Sequence, residues 1–266
     1  MMKKTKEVTE YNKAFGKEIT DIRAVTGPSA FSGWSSGNEK LWTARIGISA
    51  WKAEGSQEIC RQEHFLTTKA DAACLEGLRE KIPPNSIVSL RVRKKDKDFL
   101  LVDIRETQNA DAGLEKILKD QVKPLVYKDE RLGKLVLNKS LSLFEGKLKW
   151  NTRRIGLEIT KYPEKRMKDA IETARALARD IPAWDKRLRE FAASKLLKLK
   201  NSAWLEEDEK PLHAREFEKR IKPDSVEVFP KGRLEFFFED GGIFWGHLVV
   251  ISGSLAKGPT RAEIAG

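Results

Sequence analysis

The chain has 266 residues, about 40% of them apolar and 34% charged, which is enough for two ordinary domains with real cores. Fifty-one lysines and arginines against forty acids leave a net charge of +11, which favours an acidic partner or a nucleic acid backbone, although charges of both signs also make an ordinary solvated surface. The two cysteines, Cys60 and Cys74, exclude a disulfide scaffold, and the basic start from Met1 to Glu10 leads into no apolar run, so a cytoplasmic protein with no membrane span is expected.

Residues 1–110 read as a first domain, mostly of strands. Ile19–Val25 is a short strand, followed by a turn-rich loop with Gly27-Pro28-Ser29 and Ser32–Gly37. Trp42–Ala50 alternates, with Trp42, Ala44, Ile46, Ile48 and Ala50 on one face. Lys69–Ile82 switches to helical spacing, with Cys74, Leu75, Leu78 and Ile82 on one stripe, and Pro83-Pro84 ends it. Val88–Val92 and Phe99–Ile104 then flank the polar Lys94–Asp98 as a hairpin. This order predicts a small antiparallel Greek-key barrel with one helix, OB-like (the oligonucleotide/oligosaccharide-binding type), with a ferredoxin-like sandwich as the alternative. Residues 111–128 are expected to be a linker whose short helix carries Leu114, Ile117 and Leu118.

Residues 129–266 read as an α+β domain. Lys134–Asn138, Phe144–Trp150 and Ile155–Ile159 are strands of a meander; the middle one points Phe144, Leu148 and Trp150 inward and Glu145, Lys147 and Lys149 outward. Met167, Ala170, Ile171, Ala174, Leu177 and Ile181 line one helix, which Pro182 interrupts. Trp184, Leu188, Phe191 and Leu199 line a second, and Phe217 and Ile221 a short third. The closing Arg233–Ser252 reads as a hairpin across Asp240-Gly241-Gly242. Leu234, Phe236 and Phe238 would then share a face with Ile243, Trp245, His247, Val249 and Ile251, and Trp245 and His247 would lie in a central, covered strand. An antiparallel sheet covered by helices is the predicted architecture.

Several of these pieces resemble a known family. Leu132–Asn138, Leu143–Gly146 with Trp150, Phe217, Asp240–His247, Gly258-Pro259-Thr260 and Ile264–Gly266 are similar to the bacterial domain of unknown function 2262, which carries an acidic-Gly-acidic turn before its Phe-Trp-Gly-His segment. Here Gly242 stands where that second acid would be. Val25–Ser29 and Trp34 look like an uncharacterised domain that often precedes this family. The resemblance implies a bacterial cytoplasmic α+β protein with no established chemistry and with interaction or toxin-immunity roles; it transfers no catalytic residue.

Among side chains that carry chemistry, His247 with Asp240 is the sharpest pair, since an imidazole and a carboxylate could converge at a cleft rim; a histidine in an apolar strand has a structural reading as well. Cys60, His64 and Cys74 lack the tight spacing of a zinc site, and the glycines of the closing hairpin form no phosphate loop, so neither metal nor cofactor is expected. Arg91, Arg93, Lys94 and Lys95 on the barrel hairpin, with Lys149, Arg153 and Arg154 on the second sheet, are the nucleic-acid candidates, with Trp34, Trp42 and Trp51 available for stacking. The leading expectation is a non-enzymatic protein-binding protein, of immunity type and neutralising a toxin, whose partner is unidentified. The alternative is a nucleic-acid-binding barrel, and the third reading is a hydrolase centred on His247.

Overall fold

The computed structural model describes residues 5–37, 39–106 and 111–266; part of the basic start, residues 1–4, and part of the expected junction, residues 107–110, lie outside them. The chain divides into two compact units, Met1–Lys123 and Pro124–Gly266.

The first unit holds strands β1 (Thr20–Thr26), β2 (Ser32–Trp34), β3 (Trp42–Ala53), β4 (His64–Ala70), β5 (Ile87–Lys95) and β6 (Asp98–Arg105), with helices α1 (Lys6–Lys13), α2 (Ala72–Lys81) and α3 (Ala112–Val122). The strands run in the order β1-β5-β6-β4-β3, and β3 returns to pair with β1, so five strands form a ring and β2 extends β3 on the outside. With α2 between the third and fourth ring strands, this is the connectivity of an OB-like barrel. Its one parallel pair, β4 with β6, sets it apart from the all-antiparallel barrel expected. Ile22, Ala24, Ala44, Ile46, Ile48, Leu66, Leu90, Val92 and Phe99 fill the interior, and Leu75 and Leu78 of α2 join them.

The linker expected over residues 111–128 divides between the units. Asp111 caps α3 and pairs with Lys52 at 2.7 Å. The stripe Leu114, Ile117 and Leu118 needs an apolar surface, and finds it on Val25, Ala50, Ile59 and Ile87 outside the barrel. β7 (Val126–Asp129) instead forms the edge of the second sheet.

That sheet continues with β8 (Gly133–Asn138), β9 (Leu143–Trp150), β10 (Arg153–Thr160), β11 (Lys222–Val228), β12 (Arg233–Glu239), β13 (Leu248–Ser254) and β14 (Gly258–Ala265), in sequential order. Neighbours are antiparallel except β10 and β11, which are parallel because the chain between them passes through α4 (Glu164–Leu177), α5 (Ile181–Ala203) and α6 (Ala214–Arg220). Pro182 opens α5 instead of only ending α4: the Asp180 carboxylate caps the helix, and a proline in the first turn gives up no intrahelical bond. On the helix-covered face, the Phe236 ring lies 5.9 Å from Trp150 and 5.7 Å from Trp184. The Trp150 indole donates to Asp185 at 2.7 Å, and Asp185 also holds Arg189 at 2.9 Å. Arg189 in turn donates to the carbonyls of Glu218 and Ile221 at the end of α6, so one polar chain ties sheet, α5 and α6 together.

The closing hairpin departs from expectation. Phe236 faces Ile251 and Phe238 faces Val249, as read, but β13 begins only at Leu248, and residues 240–247 are a loop. Trp245 is therefore not a covered strand residue; it is 60% exposed.

Because Leu114 is the buried anchor of α3, Leu114→Ala should destabilise the first unit by about 2–4 kcal/mol, measured by urea denaturation. A change within about 0.5 kcal/mol would make α3 a loose linker after all.

Candidate functional site

The 240–247 loop is organised by one carboxylate. Asp240, 5% exposed, accepts the amide of Gly242 at 3.0 Å through Oδ1, and those of Phe244 at 2.5 Å and Gly246 at 3.1 Å through Oδ2. These bonds satisfy amides that a strand would have paired with its neighbour, which is why the hairpin opens here. The turn also needs left-handed backbone, with φ of 61° at Gly241, 81° at Gly242, 56° at Trp245 and 87° at Gly246. A Cβ on Gly241 would meet the Arg220 carbonyl oxygen at 2.3 Å, so that glycine is required twice over. Trp245 has no such excuse. A bulky residue at positive φ costs roughly 1–3 kcal/mol unless its surroundings impose the conformation.

The loop drives Phe244 into the core, edge-on to Trp204 at 5.6 Å and Phe217 at 6.0 Å, and turns Trp245 outward. Trp204, at the C-terminal cap of α5, lies 4.7 Å from Trp245 and 5.2 Å from His247 between ring centres. Beneath it the buried Lys200 ammonium donates to the Trp204 carbonyl at 2.6 Å and to the Glu209 carboxylate, fixing the turn that follows α5. The same ammonium holds the Glu209 carboxyl below its ordinary range. The result is an aromatic face of Trp204, Trp245 and His247 on a tightly bonded base.

His247 and Asp240 do not meet as an acid–base pair. The Asp240 oxygens are taken by amides, and His247 Nδ1 donates to the Phe244 carbonyl at 2.7 Å. His64 is buried against Phe99 and Trp51 in the barrel, apart from any metal arrangement: among the described residues no three His, Cys, Asp or Glu side chains gather as a metal site. Of the basic candidates, Arg91 forms a two-pronged bond with Asp21 at 2.8 and 2.7 Å, and Arg93 closes the end of α1 through the carbonyls of Asn12, Phe15 and Gly16. Lys94 lies 5.2 Å over the Trp51 ring, and Lys95 is exposed. Lys149, Arg153 and Arg154 gather where β9 meets β10, and Arg153 reaches the Pro223 carbonyl at 3.4 Å. The stacking candidates Trp34 and Trp42 are 47% and 40% exposed.

On the sheet face away from the helices a further row appears. Glu145 faces Glu158, Glu158 faces Glu227, and Glu227 faces Glu235 across four adjacent strands. Burial, followed by the charges of Glu227, Glu145 and Asp224, raises the Glu158 carboxyl above its ordinary range, with Lys147 opposing. Burial likewise raises Glu227, whose bond from Thr160 pulls the other way.

Residues 129–264 match the family described as "Uncharacterized protein conserved in bacteria (DUF2262)". The chain belongs to DUF2262. Residues 7–121 match a second model, "Domain of unknown function (DUF7021)". Comparison with curated proteins finds no match. The DUF2262 unit thus contains the whole aromatic face, and the DUF7021 match covers the barrel with most of α1 and of α3. Of this DUF2262 face, Trp245, His247 and Asp240 stood out in the sequence, whereas Trp204 and Lys200 did not; the signal that could have found them is the Trp-Leu-Glu-Glu break that ends the α5 pattern. The glutamate row needed strand register, which no single strand reveals.

Two outcomes follow from this geometry. Asp240→Ala, which removes a buried carboxylate serving three amides, should destabilise the DUF2262 unit by about 2–4 kcal/mol in chemical denaturation. The double change Glu158→Gln with Glu227→Gln should stabilise it near pH 7, because facing like charges oppose the fold. Carboxyls with raised folded-state pKa values take up protons in the fold first, so wild type loses this penalty as pH falls from neutrality towards the ordinary glutamate range. The difference in melting temperature between variant and wild type should therefore shrink on acidification; a gap that stays constant would mean that Glu158 and Glu227 are not raised in the fold.

Proposed function

We propose that this protein works by binding another protein through the Trp204–Trp245 face of its DUF2262 unit, and not by catalysing a reaction. The observation that carries this reading is Trp245 itself: a large aromatic side chain, 60% exposed, held outward on left-handed backbone by a loop whose other aromatic, Phe244, is fully buried. Tryptophan is among the residues enriched at the energetic centres of protein interfaces, and a bulky aromatic held at positive φ on the surface fits a role in recognition. The same geometry weakens the hydrolase reading, since His247 has neither Asp240 nor a nucleophile bonded to it among the described residues. Toxin neutralisation is the form of protein binding that the family resemblance suggests, and an immunity-type complex would use such a preformed face.

The nucleic-acid reading is less well supported. In OB-type barrels ligands bind across the second and third strands, here β3 and β4. The outer surface of these strands carries α1: Tyr11 meets Thr67 at 2.7 Å, and Glu7 pairs with Lys69 at 3.4 Å and accepts the amides of Lys40 and Leu41. Arg91 and Arg93 are engaged within the unit as well.

The test is affinity capture from a lysate of the source bacterium with wild type and Trp245→Ala side by side. Removing an exposed ring should leave the melting temperature within about 3 °C while eliminating a stoichiometric protein partner held through moderate salt. A partner retained equally by both proteins removes Trp245 from the interface. Tight nucleic-acid binding at about 150 mM salt, lost on neutralising Lys94, Lys95, Lys149 and Arg154, would transfer the function to those residues.

A further inference from the structure

We infer that the segment received by the Trp204–Trp245 face is cationic, an arginine- or lysine-bearing stretch of the partner; this rests on the protein-binding reading above and narrows it. From Trp204 the chain runs directly into a turn in which Glu206, Glu207 and Asp208 are all exposed. The turn is closed by the Glu209 amide donating to the Glu206 carbonyl at 3.0 Å, and Lys200 anchors it from below.

The local charge balance is what selects the partner. Lys200 is buried and neutralised by Glu209. Arg220, behind the loop, is paired with Glu216 at 3.0 Å and Glu209 at 3.6 Å. Glu206, Glu207 and Asp208 form no ion pair among the described residues, and the turn offers only Lys210 against them. A chain of net charge +11 thus places three exposed acids in the turn that follows Trp204, the ring on which its most exposed tryptophan packs. Indole faces attract cations through their quadrupole, and guanidinium groups use this most often. The Trp204 and Trp245 rings, inclined at 55°, offer such a surface, and the carboxylates supply the complementary long-range field.

The probe is a nona-arginine peptide, with nona-glutamate as control, titrated against the full-length protein at about 150 mM salt and followed by tryptophan fluorescence and calorimetry. Wild type should bind nona-arginine and not nona-glutamate. Changing Glu206→Gln, Glu207→Gln and Asp208→Asn together should weaken binding about tenfold or more. Trp245→Ala, with the acidic turn intact, should weaken it severalfold, and Trp245→Phe should restore part of the loss; this separates a combined aromatic and acidic site from bulk charge attraction. Absence of nona-arginine binding, or binding indifferent to Trp245, overturns the inference. If Trp245→Ala abolishes capture of the cognate protein while the three neutralised carboxylates leave it intact, protein binding stands and the cationic partner does not. If Trp245→Ala retains the partner, both fall.

Discussion

The contact on which the DUF2262 unit depends is the Phe236 ring seated between Trp150 and Trp184. It joins a central strand, a meander strand and the longest helix at one point, and Asp185 ties the same junction together with charge-assisted bonds. Burial of three large aromatic groups supplies the driving force, and the Asp185–Arg189 chain gives the polar atoms at that junction defined partners. With that seam fixed, the end of α5 and the end of β12 are brought close together. Trp204 and the Asp240 loop meet there.

The Asp240 carboxylate then decides what the end of the sheet presents. Had its three amides been taken by a neighbouring strand, the alternation Ile243, Trp245, His247 would have continued into the core. By gathering them, Asp240 sends Phe244 inward and Trp245 outward, while Ile243 stays buried as its period predicts. A single buried side chain thereby turns a structural segment into a presented one. Lys200 and Arg220 are paired with Glu209 and Glu216, and the acids of the adjoining turn face solvent.

Much of the architecture was legible in the residues because period and punctuation agree. The Leu75–Leu78 stripe, the Phe144–Leu148–Trp150 alternation and the Ala170–Leu177 stripe all occur where they were expected. What was hidden depends on partners distant in sequence. His64–Ala70 has no clean alternation because its outward Thr67 and Lys69 are covered by α1, so it did not announce a strand. The helix at 112–122 looked like part of a linker because the Val25 and Ala50 surface that receives it lies far back in the chain. The site followed the same rule. Trp245 and His247 were singled out, but a side-chain-to-backbone motif overrode the strand period, and the glutamate row exists only through the register of four strands.

The parallel pairing of β10 with β11 also governs how the second sheet can be assembled. β7–β10 and β11–β14 are each chains of antiparallel neighbours joined by short connections, the longest of them the 240–247 loop, and their contacts are close in sequence. Their union matches Gly156 with Ser225 and Ile159 with Val228, and so closes a loop of some seventy residues that contains α4, α5 and α6. Closing it carries an entropic penalty that local hairpins escape, and preformed helices shorten the effective span. The sheet is therefore two halves of sequence-local pairings joined by one long-range pairing, and the Phe236 seam spans that junction.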